Sequence, residues 1–239
     1  MITLLRTLAM SNAHDAQRSL SLIRALQLAS GTLPVGTYAY SQGLEWAVEA
    51  GWVTNESTLD HWLKEQLVAS VATTDLPILL RLYAATIEND DALIARWARL
   101  LIASRETKEL IVDDCARGNA LAHLLFDLGI AEAEQWFTRK DTPFAATTAL
   151  CAVRWGIELD DTMIAYTWGW LEGQILAGVK LIPLGQIAGQ RLLFELSGQI
   201  PQAIDQAKAC SDDDIGATLP LLALASSLHE TQYTRLFRS

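Results

Sequence analysis

The chain has 239 residues, 51% of them hydrophobic and 19% charged, with a mean hydropathy of +0.19, a length that buries a substantial core in one or two domains. Eighteen Lys and Arg against 28 Asp and Glu give a formal net charge of −10 and a pI near 4.8, which argues against a nucleic-acid backbone as ligand and favours a basic partner protein. The most apolar stretches, such as 177–190, are interrupted by Lys180, Pro183, Gln186 and Gln190, so no membrane span is expected; a composition this apolar predicts buried interface surface instead, and hence an oligomer or an obligate partner.

Residues 1–19 read as a flexible leader, with Met10 an alternative start; Arg6 lies inside what would have to be the apolar region of a signal peptide. Leu20, Ile23, Leu26 and Gln27 recur at helical spacing until Ser30-Gly31 and Pro34 stop them, Gly31 standing where the helix would leave through a left-handed residue. Ser41 is placed to cap a helix through Ala50 that Gly51 ends. Ser57 and Asp60 resemble a capping box before Leu59, Trp62, Leu63 and Leu67, and Asp75 with Pro77 reads as the opening of a separate helix. Leu93, Trp97, Leu100 and Leu101 form the next stripe, a segment from Glu106 is closed by Gly129, and Thr142-Pro143 starts a helix towards Gly156. Segments at 160–182, 183–196, 202–210 and from Ile215 complete an all-α domain of about ten helices over 20–239, with no alternating β-branched runs bounded by turns. Linkers are short and repeats absent, so one domain is expected.

Catalytic constellations are missing. No phosphate-cradling G-x-x-x-x-G-K-[ST], no G-x-S-x-G, no H-E-x-x-H and no G-x-G-x-x-G is present, so neither cofactor nor metal is expected. His14, His61, His123 and His229 are scattered, and the rival to a non-catalytic function is a helical hydrolase or membrane-peripheral enzyme built on a tertiary histidine site. Glu45 and Glu49 share a helix face, as solvated or salt-bridged carboxylates commonly do. Asp212–Asp214 reads as a solvating cap for the following helix rather than a metal site. Cys115, Cys151 and Cys210 are widely spaced outside any C-x-x-C pattern, which suits a reduced cytoplasm.

Three stretches carry more specification than a helical scaffold needs. Between Ser30 and Gly51, four glycines and a proline shape the backbone around Tyr38 and Tyr40, as a tight corner with buried tyrosines would also require. In 166–193, Gly169 and Gly173, then Gly185 and Gly189, are spaced four apart, stripping one helix face for close approach within the chain or across a dimer; Gln186 and Gln190 form an adjacent amide stripe. The final stretch, 228–239, sets Tyr233, Leu236 and Phe237 beside Arg235 and Arg238, a cationic and apolar tail on an acidic protein that should dock on something.

Together these stretches resemble the urease accessory protein UreF family. The resemblance rests on L-P-V-G-T-Y-A-Y-S-Q-G-L-E at 33–45, S-R-E-T-K-E-L at 104–110 followed by Gly118, I-P-L-G-Q-I-A-G-Q at 182–190 and H-E-T-Q-Y-T-R-L-F-R-S at 229–239, in order from about Leu20 onward. Gly31 departs from a common proline and Ile111 from a common polar residue. The resemblance implies an all-α, homodimeric, cytoplasmic and non-catalytic scaffold that binds the accessory protein UreD, called UreH in some species, and recruits the GTPase UreG, so that nickel reaches the urease apoprotein in a GTP-dependent step. It also implies that Tyr38 and Arg235 build the surface recruiting the GTPase, with Lys180 a contact or gate nearby; the tail's own composition adds Tyr233 and Phe237 as expected partner-binding residues.

Overall fold

The computed structural model describes residues 2–139, 141–217 and 219–239, with side chains described from Asp15 onward; Met1 lies outside the described residues. Its elements are α-helices: α1 (Ile2–Ala29), α2 (Leu44–Glu49), α3 (Glu56–Gln66), α4 (Leu76–Glu88), α5 (Asp91–Ala103), α6 (Lys108–Asp127), α7 (Glu134–Phe137), α8 (Phe144–Trp155), α9 (Leu159–Leu181), α10 (Gln186–Ser197), α11 (Ile200–Ala209) and α12 (Pro220–His229). No strand is present among the described residues, and the fold is one all-α domain, as expected. Helix α1 runs back through the stretch expected as a leader, and Arg18 pairs with Asp161 at the start of α9.

Two helices organise the core. Leu76, Ile78, Leu79 and Leu82 of α4 are fully buried, and α4 packs on α5, α8, α9 and α11. Helix α9 lies across α1, α2, α8, α10 and α11, burying Met163, Tyr166, Leu171 and Ile175. Gly178 belongs to this packing, since a Cβ there would lie 2.4 Å from Leu59 Cδ2.

Several helix limits follow the sequence signals: Gly51, Gly129 and Gly156 adopt left-handed φ where helices end. Others differ. The capping box before α3 is Asn55 with Thr58, not Ser57 with Asp60. Gly31 is not left-handed; the positive-φ residues of the first loop are Gly36, Gln42 and Gly43. Asp75 and Pro77 do not open a separate helix, because α3, a π-helical stretch over Leu67–Asp75 and α4 form one continuous helix, Glu56–Glu88.

The wider winding has a physical cause. Pro77 lacks an N–H and its ring crowds the carbonyl four residues back, that of Thr73. The Thr73 carbonyl instead accepts the Gly216 N–H at 3.2 Å. This 33-residue helix is long and apolar enough to cross a membrane, contrary to expectation, but 56% of its most apolar window is buried in the fold, as befits a core helix.

Candidate docking surface

The first loop and the tail meet on the amino-terminal end of α2. Residues 37–39 form a single 3-10 turn that leaves Tyr38 65% exposed, while Tyr40 turns inward and is buried. Gly43 then brings the backbone against α12: its φ is +84°, and a Cβ there would stand 2.8 Å from the Ser226 backbone nitrogen. No L side chain fits both demands.

The tail lies along this loop by main-chain bonds. Arg238 N–H donates to the Ala39 carbonyl at 2.8 Å, and Ser41 N–H donates to the Ser239 carbonyl at 2.6 Å. Glu45, 7% exposed, accepts the N–H of Leu236 at 2.6 Å on Oε1 and that of Phe237 at 2.8 Å on Oε2. Its Oε2 also lies 3.1 Å from His229 Nε2. The imidazole is fully buried, and its Nδ1 stands 2.7 Å from Glu109 Oε2, whose other oxygen accepts from Arg235 at 3.0 Å. A carboxylate, an imidazole, a second carboxylate and a guanidinium thus run in line from α2 through α12 and α6 to the tail, each charge facing a hydrogen-bonding partner as burial demands. Phe237 is buried with its ring 5.6 Å from the exposed Lys180 ammonium, a cation–π arrangement.

A second network holds the loop from beneath. Gln42, left-handed at φ 52°, donates to Asp113 at 2.7 Å and accepts from Trp170 at 3.1 Å and Gln174 at 3.3 Å. Asp113 pairs with Arg117, and Asp114 and Asp75 share Arg105, all five charges being largely buried. Burial works to lower the Arg105 and Arg117 pKa values, but the aspartates outweigh it and hold both above the ordinary value. Tyr166 donates to Asp75 at 3.1 Å, and burial, joined by the Asp75 and Asp114 charges, raises its phenol well above the usual range. Asp75 is the last residue of the π stretch, so the network ties that winding to α6, α9 and the loop.

Lys180, Arg235, Phe237 and the Tyr38 turn, singled out in the sequence, are therefore brought together. Tyr233 is fully exposed and makes no part of the anchorage, and Leu236 is exposed too; Phe237 alone anchors. Gly189 serves packing inside the chain, where a Cβ would come within 2.7 Å of Val179 on α9; Gly185 faces open space, and Gln186 and Gln190 are exposed. Gly173 makes room for Thr37 of the Tyr38 turn, whose Cγ2 would lie 2.8 Å from an added Cβ.

Glu45 and His229 are the residues that sequence reasoning undervalued, Glu45 as a solvated carboxylate. The one available signal was a glutamate beside inward-facing Leu44 and Ala47 in a six-residue helix. Of the other histidines with described side chains, His123 stacks on Phe137 at 4.2 Å and His61 is exposed on α3. No group of His, Cys, Asp and Glu able to hold a metal ion occurs among the described residues. The acidic run does not cap the following helix as expected: Asp212–Asp214 form a 3-10 turn of their own, Asp212 pairing with Arg81 and Asp214 accepting from Ser211, while α12 begins six residues later at Pro220 with no side-chain cap.

Two further apolar faces remain open. Leu22 and Leu26 of α1, with Ile164 and Trp168 of α9, line a groove of about 460 Å³. Leu221, Leu224 and Leu228 form an exposed stripe on α12 beside the tail.

Fold and site define an all-α protein whose most constructed feature is an outward surface, assembled from a loop near one end of the chain and the tail at the other. A family model described as UreF matches residues 53–197. Urease accessory protein UreF of Pseudomonas putida strain W619 is 50% identical over 220 residues, covering 92% of this chain and 98% of the relative. Those of Alkalilimnicola ehrlichii and Citrobacter koseri are 48% and 45% identical, covering 90% and 91% of this chain and 95% and 97% of their own. The chain belongs to the UreF family.

Proposed function

We propose that this chain is a urease accessory protein acting as a non-catalytic, cytoplasmic adaptor: a homodimer that binds UreD (UreH) and recruits the GTPase UreG for GTP-dependent delivery of nickel to the urease apoprotein. The observation that supports the reading is the tail bound along the Tyr38 loop, with Arg235 held by Glu109 and Lys180 over the Phe237 ring. Aromatic and arginine side chains presented by a firm backbone are what protein interfaces use as anchors. Both ring nitrogens of the buried His229 face carboxylates, which leaves neither for a metal or a substrate and weighs against the hydrolase alternative. The open groove between α1 and α9 suits a second copy, since it is apolar. Nickel and nucleotide chemistry belong to the partners on this reading. Pull-down of the purified chain with the urease accessory proteins, with and without a GTP analogue, tests it: capture of UreD and UreG is expected, and capture of neither refutes it.

A further inference from the structure

The Tyr38 loop and the tail meet through a few backbone bonds and the Ser41 hydroxyl, which donates to the Ser239 carbonyl at 2.5 Å, and most of the tail side chains point to solvent. Phe237 apart, no large side chain after α12 is buried, so apolar packing alone does not fix the tail's path. Beside the bonds of Ala39 and Ser41 to the last two residues, what fixes it is a single carboxylate. Both Glu45 oxygens are engaged by consecutive amide N–H groups, an arrangement in which two backbone dipoles converge on one anion and set the register of the tail to the residue. The same carboxylate is held in place from α12 by His229, and Ser41 Oγ accepts the Glu45 N–H at 3.3 Å. A one-residue slip of the tail would leave an amide unpaired against a buried charge, which is far costlier than a slip between solvated groups.

We propose that Glu45, braced by His229, is the positioning residue that sets the tail on the Tyr38 loop, and that the GTPase-recruiting surface has its working geometry only when both Glu45 oxygens accept the tail's amides. The inference rests on the adaptor reading above for its second half alone. Glu45 touches no partner: its oxygens are taken by the tail and by His229. Its effect on recruitment passes through Arg235, which follows the tail and is received by Glu109 on the other side of His229. Glu45→Gln keeps size and shape but puts an amide, itself a donor, where two N–H groups already point.

The test combines hydrogen exchange at the amides of residues 236–238 with recruitment measured as urease activation against GTPase concentration, in the full chain with its accessory partners. Glu45→Gln is expected to speed exchange at those amides by about tenfold or more, the scale of a lost charge-assisted bond, while amides of α4 and α8 are unchanged. The half-saturating GTPase concentration rises by a similar factor, and excess GTPase restores full activation, which a misfolded adaptor would not permit. Glu45→Asp, which keeps the charge but shortens the reach, gives an intermediate exchange rate and serves in place of the glutamine variant if that one does not fold. Unchanged exchange at 236–238 overturns the positioning role. Faster exchange with an unchanged half-saturation point, or a reduced maximum that excess GTPase does not restore, overturns the link to recruitment. Normal GTPase capture by both Tyr38→Ala and Arg235→Ala would instead refute the adaptor reading and leave the exchange result standing.

Discussion

Two glycines of the first loop separate backbone strain from contact. Gly36 and Gly43 both sit in the left-handed region, at φ +77° and +84°, but a Cβ on Gly36 meets nothing within 4 Å. On Gly43 it meets Ser226 N at 2.8 Å, Ser226 Cα at 3.2 Å and Ala225 C at 3.3 Å, all main-chain atoms of α12 that cannot rotate aside. Gly36→Ala therefore costs only the left-handed conformation, about 1–2 kcal/mol. Gly43→Ala adds the displacement of a packed helix, about 1–3 kcal/mol more. In a chain of this length each kcal/mol moves the thermal midpoint by about 2–4 °C, so the two midpoints should differ by on the order of 5 °C. Circular dichroism followed through heat and urea unfolding measures both. Equal destabilisation by the two substitutions would show that α12 is not seated on Gly43 and would refute the reasoning.

Arg235→Ala should leave helicity and thermal midpoint largely intact yet lose UreG in pull-downs, with Tyr38→Ala behaving alike and Arg235→Lys recovering little, because an ammonium lacks the guanidinium's planar fork. Normal capture by the alanine variant, or a loss that merely tracks unfolding, goes against this. Leu26→Asp, which places a charge in the α1/α9 groove, should turn a dimer into a monomer by light scattering, whereas a dimer persisting at micromolar concentration points to another face. Burial, with the Asp114 charge, pushes the Cys115 thiol up from 9.0 to about 11. The unfolded thiol thus ionises first, so stability from this group is complete below pH 9 and declines as pH rises towards 11. Urea midpoints across that window should fall less steeply in Cys115→Ala than in the parent chain, and identical slopes would count against the shift.

Much of the helical plan was legible because it is local. Gly51, Gly129 and Gly156 close helices by a backbone property of glycine itself, and the α5 stripe of Trp97 and Leu101 faces the core because its spacing fits one helical turn. The junction at Pro77 was misread since a proline mid-helix ordinarily ends it; here Gly216, 143 residues away from Thr73, supplies the missing donor. Buried charge was equally hidden. Asp113 and Arg117 look like any i, i+4 surface pair, and it is tertiary packing, with Gln42 bonded to Asp113 and the Phe144 ring against Arg117, that makes them interior. The tail's docking was foreseeable from its apolar and basic mixture, but its receptor was not, because Glu45, Glu109 and His229 come from three helices with no shared spacing in sequence.

The bond between Ser41 and Ser239 spans 198 positions, and those from Glu45 to Leu236 and Phe237 span 191 and 192. Closures of that length come late, since their entropy cost must be met before any contact rewards it, whereas helix pairs joined by short turns close early. The tail surface is therefore expected among the late regions to acquire its shape as the chain folds. On the adaptor reading, competence for assembly would then mark the end of folding rather than its beginning.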